Sequence, residues 1–151
     1  MTLKIRKPTI DDYSEWKTLW DSYLVFYKSK LPQEVTTSLW QRILDPQHIF
    51  QCLLAVEPHH QGELVGLVHF FPHEDTWELR PVCYLQDLFV KPEFRCSGYG
   101  RTLIHAVVGE AKYRKWASVY WQTKHDNVIA RKLYDALTGG TEGFVTYRML
   151  F

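Results

Sequence analysis

Residues 84–104 read YLQDLFVKPEFRCSGYGRTLI and decide the fold of this chain. An apolar, β-rich run ends at Val90, a turn with Gly98 and Gly100 follows, and an apolar helical stripe begins at Leu103. A strand that enters a helix through such a turn presents unpaired backbone N–H groups at the positive end of the helix dipole. The stretch therefore predicts a strand, a phosphate-binding turn and a helix in direct succession.

The composition is that of a packed globular protein. The chain has 151 residues, of which 46% are hydrophobic and 15% aromatic. This length suffices for one continuous core and is too short for two independent ones, so we predict a single domain over residues 1–151. The formal net charge of +1 is too small for a general attraction to nucleic acid or to an anionic membrane, and neither partner is expected.

Cysteine and histidine spacing gives no sign of a metal site or of a disulfide framework. Cys52, Cys83 and Cys96 are widely spaced and form no Cys-x-x-Cys pair, and the histidines show no ligand spacing. No apolar run approaches the roughly 20 residues that cross a bilayer. Residues 1–6 lack the apolar core of a signal peptide, so we expect a cytoplasmic location.

The hydrophobic periodicity predicts an α/β fold. Thr9 and Asp12 mark the start of the first helix, whose apolar residues form a one-sided stripe. The predicted order is β-α-α-β-β-β-α-β-α-β, with an antiparallel first half and a parallel crossover around the glycine turn. The strands are predicted at 3–6, 49–56, 63–71, 81–90, 117–123 and 144–151, and the later helices at 33–44, 103–111 and 127–137.

Two motifs carry a resemblance to a known family. The spacing Arg-x-x-Gly-x-Gly, from Arg95 to Gly100, resembles the acyl-CoA signature of the GNAT superfamily of N-acetyltransferases. Downstream, Asn127 to Tyr134 reads NVIARKLY and is similar to the family's second hallmark, Asn-x-x-Ala-x-x-Leu-Tyr on a helix. The resemblance implies the GNAT (acyl-CoA N-acyltransferase) fold, a mixed, mostly antiparallel sheet with helices on both faces.

The chain departs from the family pattern at its C-terminal end. GNAT proteins often have two strands after the last helix, whereas residues 138–143 leave room for one. We therefore expect a homodimer in which a partner subunit completes the terminal strand.

The resemblance also implies where acetyl-CoA binds. Backbone groups of Leu88, Phe89 and Val90 would hold the pantetheine arm and polarise the thioester carbonyl, and the turn would hold the pyrophosphate. Cys96 occupies a position where the family usually has glycine. The implied cosubstrate-binding residues after the strand are Arg95, Cys96, Ser97, Gly98, Tyr99, Gly100, Arg101, Asn127 and Arg131, with no metal.

The implied chemistry is transfer of an acetyl group to a primary amine. Tyr134 matches the tyrosine thought to protonate the CoA thiolate, and a phenol with a pKa near about 10 is protonated at neutral pH. Polyamine acetyltransferases, which this chain resembles, have glutamate at Gln86, and an amide cannot accept the amine proton. We assign Gln86 a positioning role. Two candidates for the general base remain open: a water held by Gln86, and Asp87 itself. For Asp87 we prefer a structural role.

The first two helices and their loop would form the acceptor pocket. Most of their aromatic residues follow a helical stripe and are assigned to the core, which leaves Tyr27 and Glu34 as predicted substrate contacts. Aromatic rings with carboxylates suit a cationic amine. The favoured reaction is direct attack by a small amine or polyamine in a ternary complex. Protein or amino-acid acetylation and a non-catalytic acyl-CoA sensor remain open, and a nicotinamide-binding domain is disfavoured because the turn lacks Gly-x-Gly-x-x-Gly.

Overall fold

The computed structural model of the protein describes residues 3–151. Residues 1 and 2, on which part of the signal-peptide prediction rests, lie outside this range. The strands are β1 (Lys4–Arg6), β2 (Gln51–Glu57), β3 (Glu63–His73), β4 (Val82–Val90) and β5 (Val119–Trp121). The α-helices are α1 (Tyr13–Phe26), α2 (Gln33–Leu44), α3 (Tyr99–Tyr113) and α4 (Val128–Thr138), and 3₁₀ turns cover Ile10–Asp12 and Pro92–Phe94.

The five strands of the described chain form one sheet in the order β1-β2-β3-β4-β5. The first four are antiparallel neighbours, and β4 and β5 are parallel. Parallel neighbours need a long crossover, which α3 supplies between them. The predicted mixed, mostly antiparallel sheet is confirmed.

Helix α1 buries one face against the sheet. Trp16, Leu19 and Trp20 are its buried residues, and their spacing places them on one side of the helix. They join a hydrophobic cluster with residues of α2, β2, β3 and β4, so the predicted core stripe is confirmed. The other members of this cluster are Trp40, Cys52, Leu54, Val56, Leu64, Leu67 and Phe89.

Helix α3 packs on the backbone of the sheet at Gly66. A Cβ at this position would lie 3.0 Å from the Phe89 carbonyl oxygen and 3.1 Å from Leu103 Cδ1. Leu103, Ile104 and Val107 of α3 are buried, whereas the neighbouring Leu67 faces the α1 cluster. Because successive residues of a strand point to opposite faces, α1 and α3 cover opposite sides of the sheet.

An ion pair joins β1 to the start of the first helical segment. The guanidinium of Arg6 donates to both carboxylate oxygens of Asp12 at 2.8 Å, and the Thr9 backbone N–H donates to the same carboxylate at 2.6 Å. The hydrogen bond from Arg6 lowers the pKa of Asp12 to about 2. The predicted helix start at Thr9 and Asp12 is therefore confirmed, and its carboxylate has a cationic partner.

Of the predicted strands, one is shorter in the structure and another is absent from the described residues. The strand predicted at 117–123 has only the three residues of β5 and is partly exposed, as expected for the last strand in the sheet order. The strand predicted at 144–151 is wrong for the described chain, because these residues pair with no strand and are exposed. Backbone groups need a neighbouring strand to form a ladder, and strand propensity alone does not provide one.

The chain divides into two compact units, one that ends at Trp121 and one that comprises Gln122–Phe151. The first contains the whole sheet together with α1, α2 and α3. The second contains α4, whose C-terminal cap is Gly139 in the left-handed region, and a tail over residues 141–151 that has neither helix nor strand. A single domain over residues 1–151 stays a prediction.

Candidate active site

The two edges of β4 are paired over different lengths. On one side, β4 pairs with β3 as far as Val90. On the other, it pairs with β5 only from Cys83 to Leu85, where Trp121 ends the ladder. Beyond Leu85, no strand of the described sheet covers this second edge. The stretch predicted to bind pantetheine is therefore the part of β4 that has one strand neighbour.

Backbone alternation shows which groups of β4 face the uncovered edge. The Lys91 N–H donates to the Val65 carbonyl of β3 at 2.9 Å. Because successive residues point their backbone groups in opposite directions, those of Val90 and Leu88 face away from β3. The Arg95 side chain donates from Nε to the Val90 carbonyl at 2.9 Å, which agrees with this direction. Leu88 and Val90 thus offer backbone groups to a ligand, whereas those of Phe89 point toward β3.

The turn before α3 presents a row of backbone donors. Within residues 3–151, none of the backbone N–H groups of residues 96–101 donates to another protein group, and the first helical bond runs from Thr102 to Gly98 at 3.0 Å. Gly98 has φ +83°, and Cys96 has φ +60° although its side chain disfavours this region by about 1 kcal/mol. Six consecutive backbone amides at the start of a 15-residue helix are the kind of donor group that binds anions, and the predicted diphosphate contact stays a prediction.

The side chains around this turn are held by the surrounding protein. The Arg95 guanidinium lies 5.2 Å from the ring centroid of Phe26 and 5.3 Å from that of Phe89. The Tyr99 hydroxyl donates to the Glu57 carboxylate, and this bond lowers the pKa of Glu57 and raises that of Tyr99. The Tyr99 phenol is therefore engaged with Glu57, and Tyr99 offers its backbone to a ligand. Ser97, Gly98 and Arg101 are exposed, and Gly100 lies in the first turn of α3.

A β-bulge separates the side chains of Gln86 and Asp87. Asp87 lies opposite His69 of β3, but the next pair joins Leu85 to Phe70, so Gln86 has no partner residue. Gln86 is exposed, whereas Asp87 is 9% exposed. Bulges redirect side chains and are common next to active sites. The two side chains therefore differ in exposure, and the positioning role assigned to Gln86 stays a prediction.

Asp87 is part of a buried polar chain that the sequence reasoning missed. Its Oδ2 lies 3.0 Å from Nδ1 of His69, and Trp16 Nε1 donates to Nε2 of the same ring at 3.0 Å. Burial, together with the nearby Asp87 carboxylate, raises the pKa of Tyr23. His69 and Asp87 are 18 residues apart, so only the pairing of β3 with β4 reveals their contact.

The two predicted substrate residues lie in different surroundings, Tyr27 within an aromatic group and Glu34 exposed on α2. The Tyr27 ring lies 4.9 Å from that of Tyr23, which in turn stacks on Trp20 at 5.3 Å and meets Phe89 edge-on at 6.3 Å. Tyr27 thus belongs to an aromatic group that reaches Asp87 through Tyr23. Glu34 lies exposed in the first turn of α2. Its contact with an acceptor stays a prediction.

The residues of the second motif brace the loop before α4. The Asn127 amide donates to the Thr123 hydroxyl at 3.1 Å, and the Arg131 guanidinium donates to the His125 carbonyl at 2.8 Å. Tyr134 lies two turns along α4 from Asn127 and is partly buried. The spacing from Asn127 to Arg131 and Tyr134 is that of one helix face, as the sequence predicted. Their roles toward acetyl-CoA and the thiolate stay predictions.

Three further features bear on the chemistry. Among residues 3–151, no group of three His, Cys, Asp or Glu side chains could hold a metal ion. None of the described helices is both long and apolar enough to span a membrane. Cys52 and Cys83 are buried, and burial raises both pKa values, that of Cys83 to about 12, whereas Cys96 is exposed.

A family model described as "Acetyltransferase (GNAT) family" matches residues 14–139. The chain belongs to this family. It is similar to the D-amino-acid N-acetyltransferase HPA3 of Saccharomyces cerevisiae, with 34% identity over 131 residues, 87% of this chain and 81% of the yeast protein. It is also similar to the uncharacterized N-acetyltransferase YhfO of Bacillus subtilis, with 29% identity over 96% of this chain and 95% of the relative.

Solved structures agree on the fold. An aminoglycoside acetyltransferase, AAC(6')-Iy, bound to a CoA-containing bisubstrate analog superposes with a TM-score of 0.83 at 21% identity, covering 100% of both chains. A ribosomal-protein-alanine N-acetyltransferase from Brucella melitensis gives a TM-score of 0.77 at 20% identity, covering 99% of this chain and all of the other. This GNAT protein is an acetyl-CoA-dependent N-acetyltransferase.

Proposed function

We propose that this acetyltransferase acetylates the primary amine of a small acceptor, a polyamine or another small amine, by direct attack in a ternary complex. The observation that supports this acceptor class is the group formed by Tyr27, Tyr23 and Asp87, because it combines aromatic rings with a carboxylate beside the uncovered edge of β4. Aromatic faces and a carboxylate attract an ammonium group through cation–π and ionic contacts.

The uncovered stretch of β4 and the turn before α3 would bind acetyl-CoA. Backbone groups of Leu88 and Val90 would hold the pantetheine arm and polarise the thioester carbonyl, with Phe89 packed below them in the core. The backbone donors of residues 96–101 would hold the diphosphate, with Arg95 and Arg101 supplying positive charge. Asn127 and Arg131 would also contribute to the acetyl-CoA site, and we propose no metal in it.

Tyr134 would protonate the departing thiolate, and Gln86 would orient the acceptor or a water. Replacing Tyr134 with Phe is expected to lower kcat by about 100-fold and to leave the Kd of acetyl-CoA unchanged, because the phenol proton acts only in the reaction. Tyr113→Phe is the matched control, since Tyr113 is exposed at the end of α3. Unchanged turnover in Tyr134→Phe would remove this role.

An amino acid is the second candidate acceptor. It is favoured by the 34% identity to the yeast protein described as a D-amino-acid N-acetyltransferase. The two candidates differ in the charge of the acceptor beyond its reacting amine, because an amino acid carries a carboxylate and a polyamine carries further ammonium groups. A carboxylate beside Asp87 would be repelled, and this electrostatic argument ranks the small amine first.

One assay tests the proposal and its alternatives together. Release of free thiol from acetyl-CoA is measured with polyamines, arylamines, D- and L-amino acids and lysine peptides. Turnover that is fastest with a polyamine or another small amine supports the proposal, and turnover confined to amino acids or peptides replaces it. Acetyl-CoA that raises the melting temperature without thiol release from any acceptor would identify a sensor.

The C-terminal tail would mediate dimerisation. In residues 144–151, six large apolar side chains are at least 76% exposed, and β5 is an edge strand of the sheet. An exposed apolar segment of one copy and the unpaired sheet edge of another can form complementary surfaces of a dimer. A chain that ends at residue 143 is expected to sediment as a monomer and the full chain as a homodimer. The cytoplasmic location remains a prediction.

A further inference from the structure

The buried polar chain fixes the tautomer of His69. An indole N–H can only donate, so Nε2 of His69, which lies 3.0 Å from Trp16 Nε1, must accept. The ring proton is then on Nδ1 and points to Asp87 Oδ2 at 3.0 Å. Both nitrogens of the ring are engaged, so His69 has no free site from which to take a proton from a substrate.

The same arrangement gives Asp87 a hydrogen-bond donor that carries no charge. With its proton on Nδ1 and Nε2 accepting from Trp16, the His69 ring donates to Asp87 as a neutral group. A buried carboxylate that receives a hydrogen bond from a neutral ring is suited to meet a cation that arrives with the ligand.

We propose that His69 is a positioning residue that holds Asp87 ionised and oriented, and that Asp87 accepts a proton from the ammonium group of the acceptor. The inference rests on the proposed function, because it needs a cationic acceptor beside β4. It assigns the base that Gln86 cannot supply and gives the Trp16, His69 and Asp87 chain a role in the reaction.

The proton balance closes with the residues of this chain. One ammonium N–H bond breaks, its electron pair stays on nitrogen, and the proton binds Asp87. The neutral nitrogen then bonds to the acetyl carbon while the carbon–sulfur bond breaks toward sulfur. The sulfur takes the Tyr134 proton, the second amine proton returns to the Tyr134 oxygen, and Asp87 releases its proton to water. The products are the amide, the free thiol and one proton.

Two variants of His69 separate positioning from packing. In His69→Asn the side-chain amide can still donate to Asp87 from nearly the Nδ1 position, whereas His69→Leu removes both hydrogen bonds. We expect His69→Leu to lower kcat by about tenfold or more and His69→Asn by about threefold or less, with the acetyl-CoA KM unchanged in both. His73→Leu is the matched control, because His73 lies on the same strand, is partly exposed and bonds to Tyr120.

A second measurement on the unaltered protein does not depend on turnover. Nitrogen-15 NMR of the histidine side chains is expected to show a neutral His69 ring with its proton on Nδ1. A proton on Nε2, or a charged ring at neutral pH, would overturn the inference. So would a folded His69→Leu with the turnover of the parent protein.

The two proposals fail in different ways. An acetyltransferase that is active on amines, combined with a fully active His69→Leu, defeats only the inference about His69. A parent protein that releases no thiol with any amine defeats the proposed acceptor class, and the role of Asp87 as its base is lost with it. The NMR result then still reports whether the Trp16, His69 and Asp87 chain exists as described.

Discussion

Two buried aspartates in this protein have opposite surroundings. Asp12, 7% exposed, accepts both guanidinium hydrogen bonds of Arg6 and a backbone N–H. Asp87, 9% exposed, accepts from the His69 ring. The first carboxylate is neutralised within the fold and ties β1 to the first helical segment. The second is paired with a histidine on the stretch of β4 that β5 does not cover, and in the proposed mechanism this is the carboxylate available to a ligand.

The largest effect is expected on turnover from Asp87→Asn. The amide keeps the shape of the side chain and removes the negative charge and the proton-accepting oxygen, so kcat should fall by about 100-fold. Stability should change little, because the amide keeps the shape of the side chain and its oxygen can still accept from His69. Steady-state kinetics and thermal melting measure the two effects. Full activity in Asp87→Asn would show that Asp87, like Asp12, has a structural role and no role in the reaction.

The reverse pattern is expected from Asp12→Asn. Because Asp12 has a pKa of about 2, its loss should lower the free energy of unfolding by ~2 kcal/mol. The kcat should stay close to that of the parent protein. Urea unfolding and the thiol-release assay test this pair of outcomes, and a large loss of turnover in a folded Asp12→Asn would remove the contrast between the two residues.

The pH dependence of stability provides a third test. Asp12 has a lower pKa in the folded protein than in the unfolded chain, so its stabilisation is fully present above about pH 4 and is lost as the pH falls toward 2. Unfolding free energies measured at several pH values in this window should decline less steeply in Asp12→Asn than in the parent protein. Equal slopes would show that the ion pair with Arg6 contributes nothing in solution.

The smallest effect is expected from Asp21→Asn. Asp21 pairs with Lys17 at 2.7 Å on the exposed face of α1, and its side chain is 52% exposed. Water screens such a pair, so the melting temperature should change much less than in Asp12→Asn, and kcat should stay that of the parent protein. A decrease in melting temperature as large as that of Asp12→Asn would mean that burial does not explain why the ion pair of Asp12 stabilises the fold.

The sequence predicts most of the fold because most of its signals are local. Helix α2 was predicted at 33–44 and occupies Gln33–Leu44, since an apolar stripe and the following Asp45-Pro46 define it. Strand β4 begins one residue later than predicted and ends at Val90 as predicted. Gly98 adopts the left-handed conformation expected of the turn.

The missed features depend on residues far apart in the chain. The aromatic and β-branched residues of 144–151 give this segment strand propensity, but a strand also needs a neighbour, and none pairs with it in the described chain. The contact of His69 with Asp87 depends on the register of two strands and on the bulge at Gln86. Neither the register nor the bulge has a local signature in the sequence.

The unequal accessibility of the three thiols makes Cys96 a reporter of its own turn. Cys52 and Cys83 are enclosed in the core and stay protonated at neutral pH, whereas Cys96 lies open within the row of amides before α3. A maleimide fluorophore would therefore label the native chain at a single position. Its rate of attachment would follow occupancy of the proposed diphosphate site directly, without any acceptor being known.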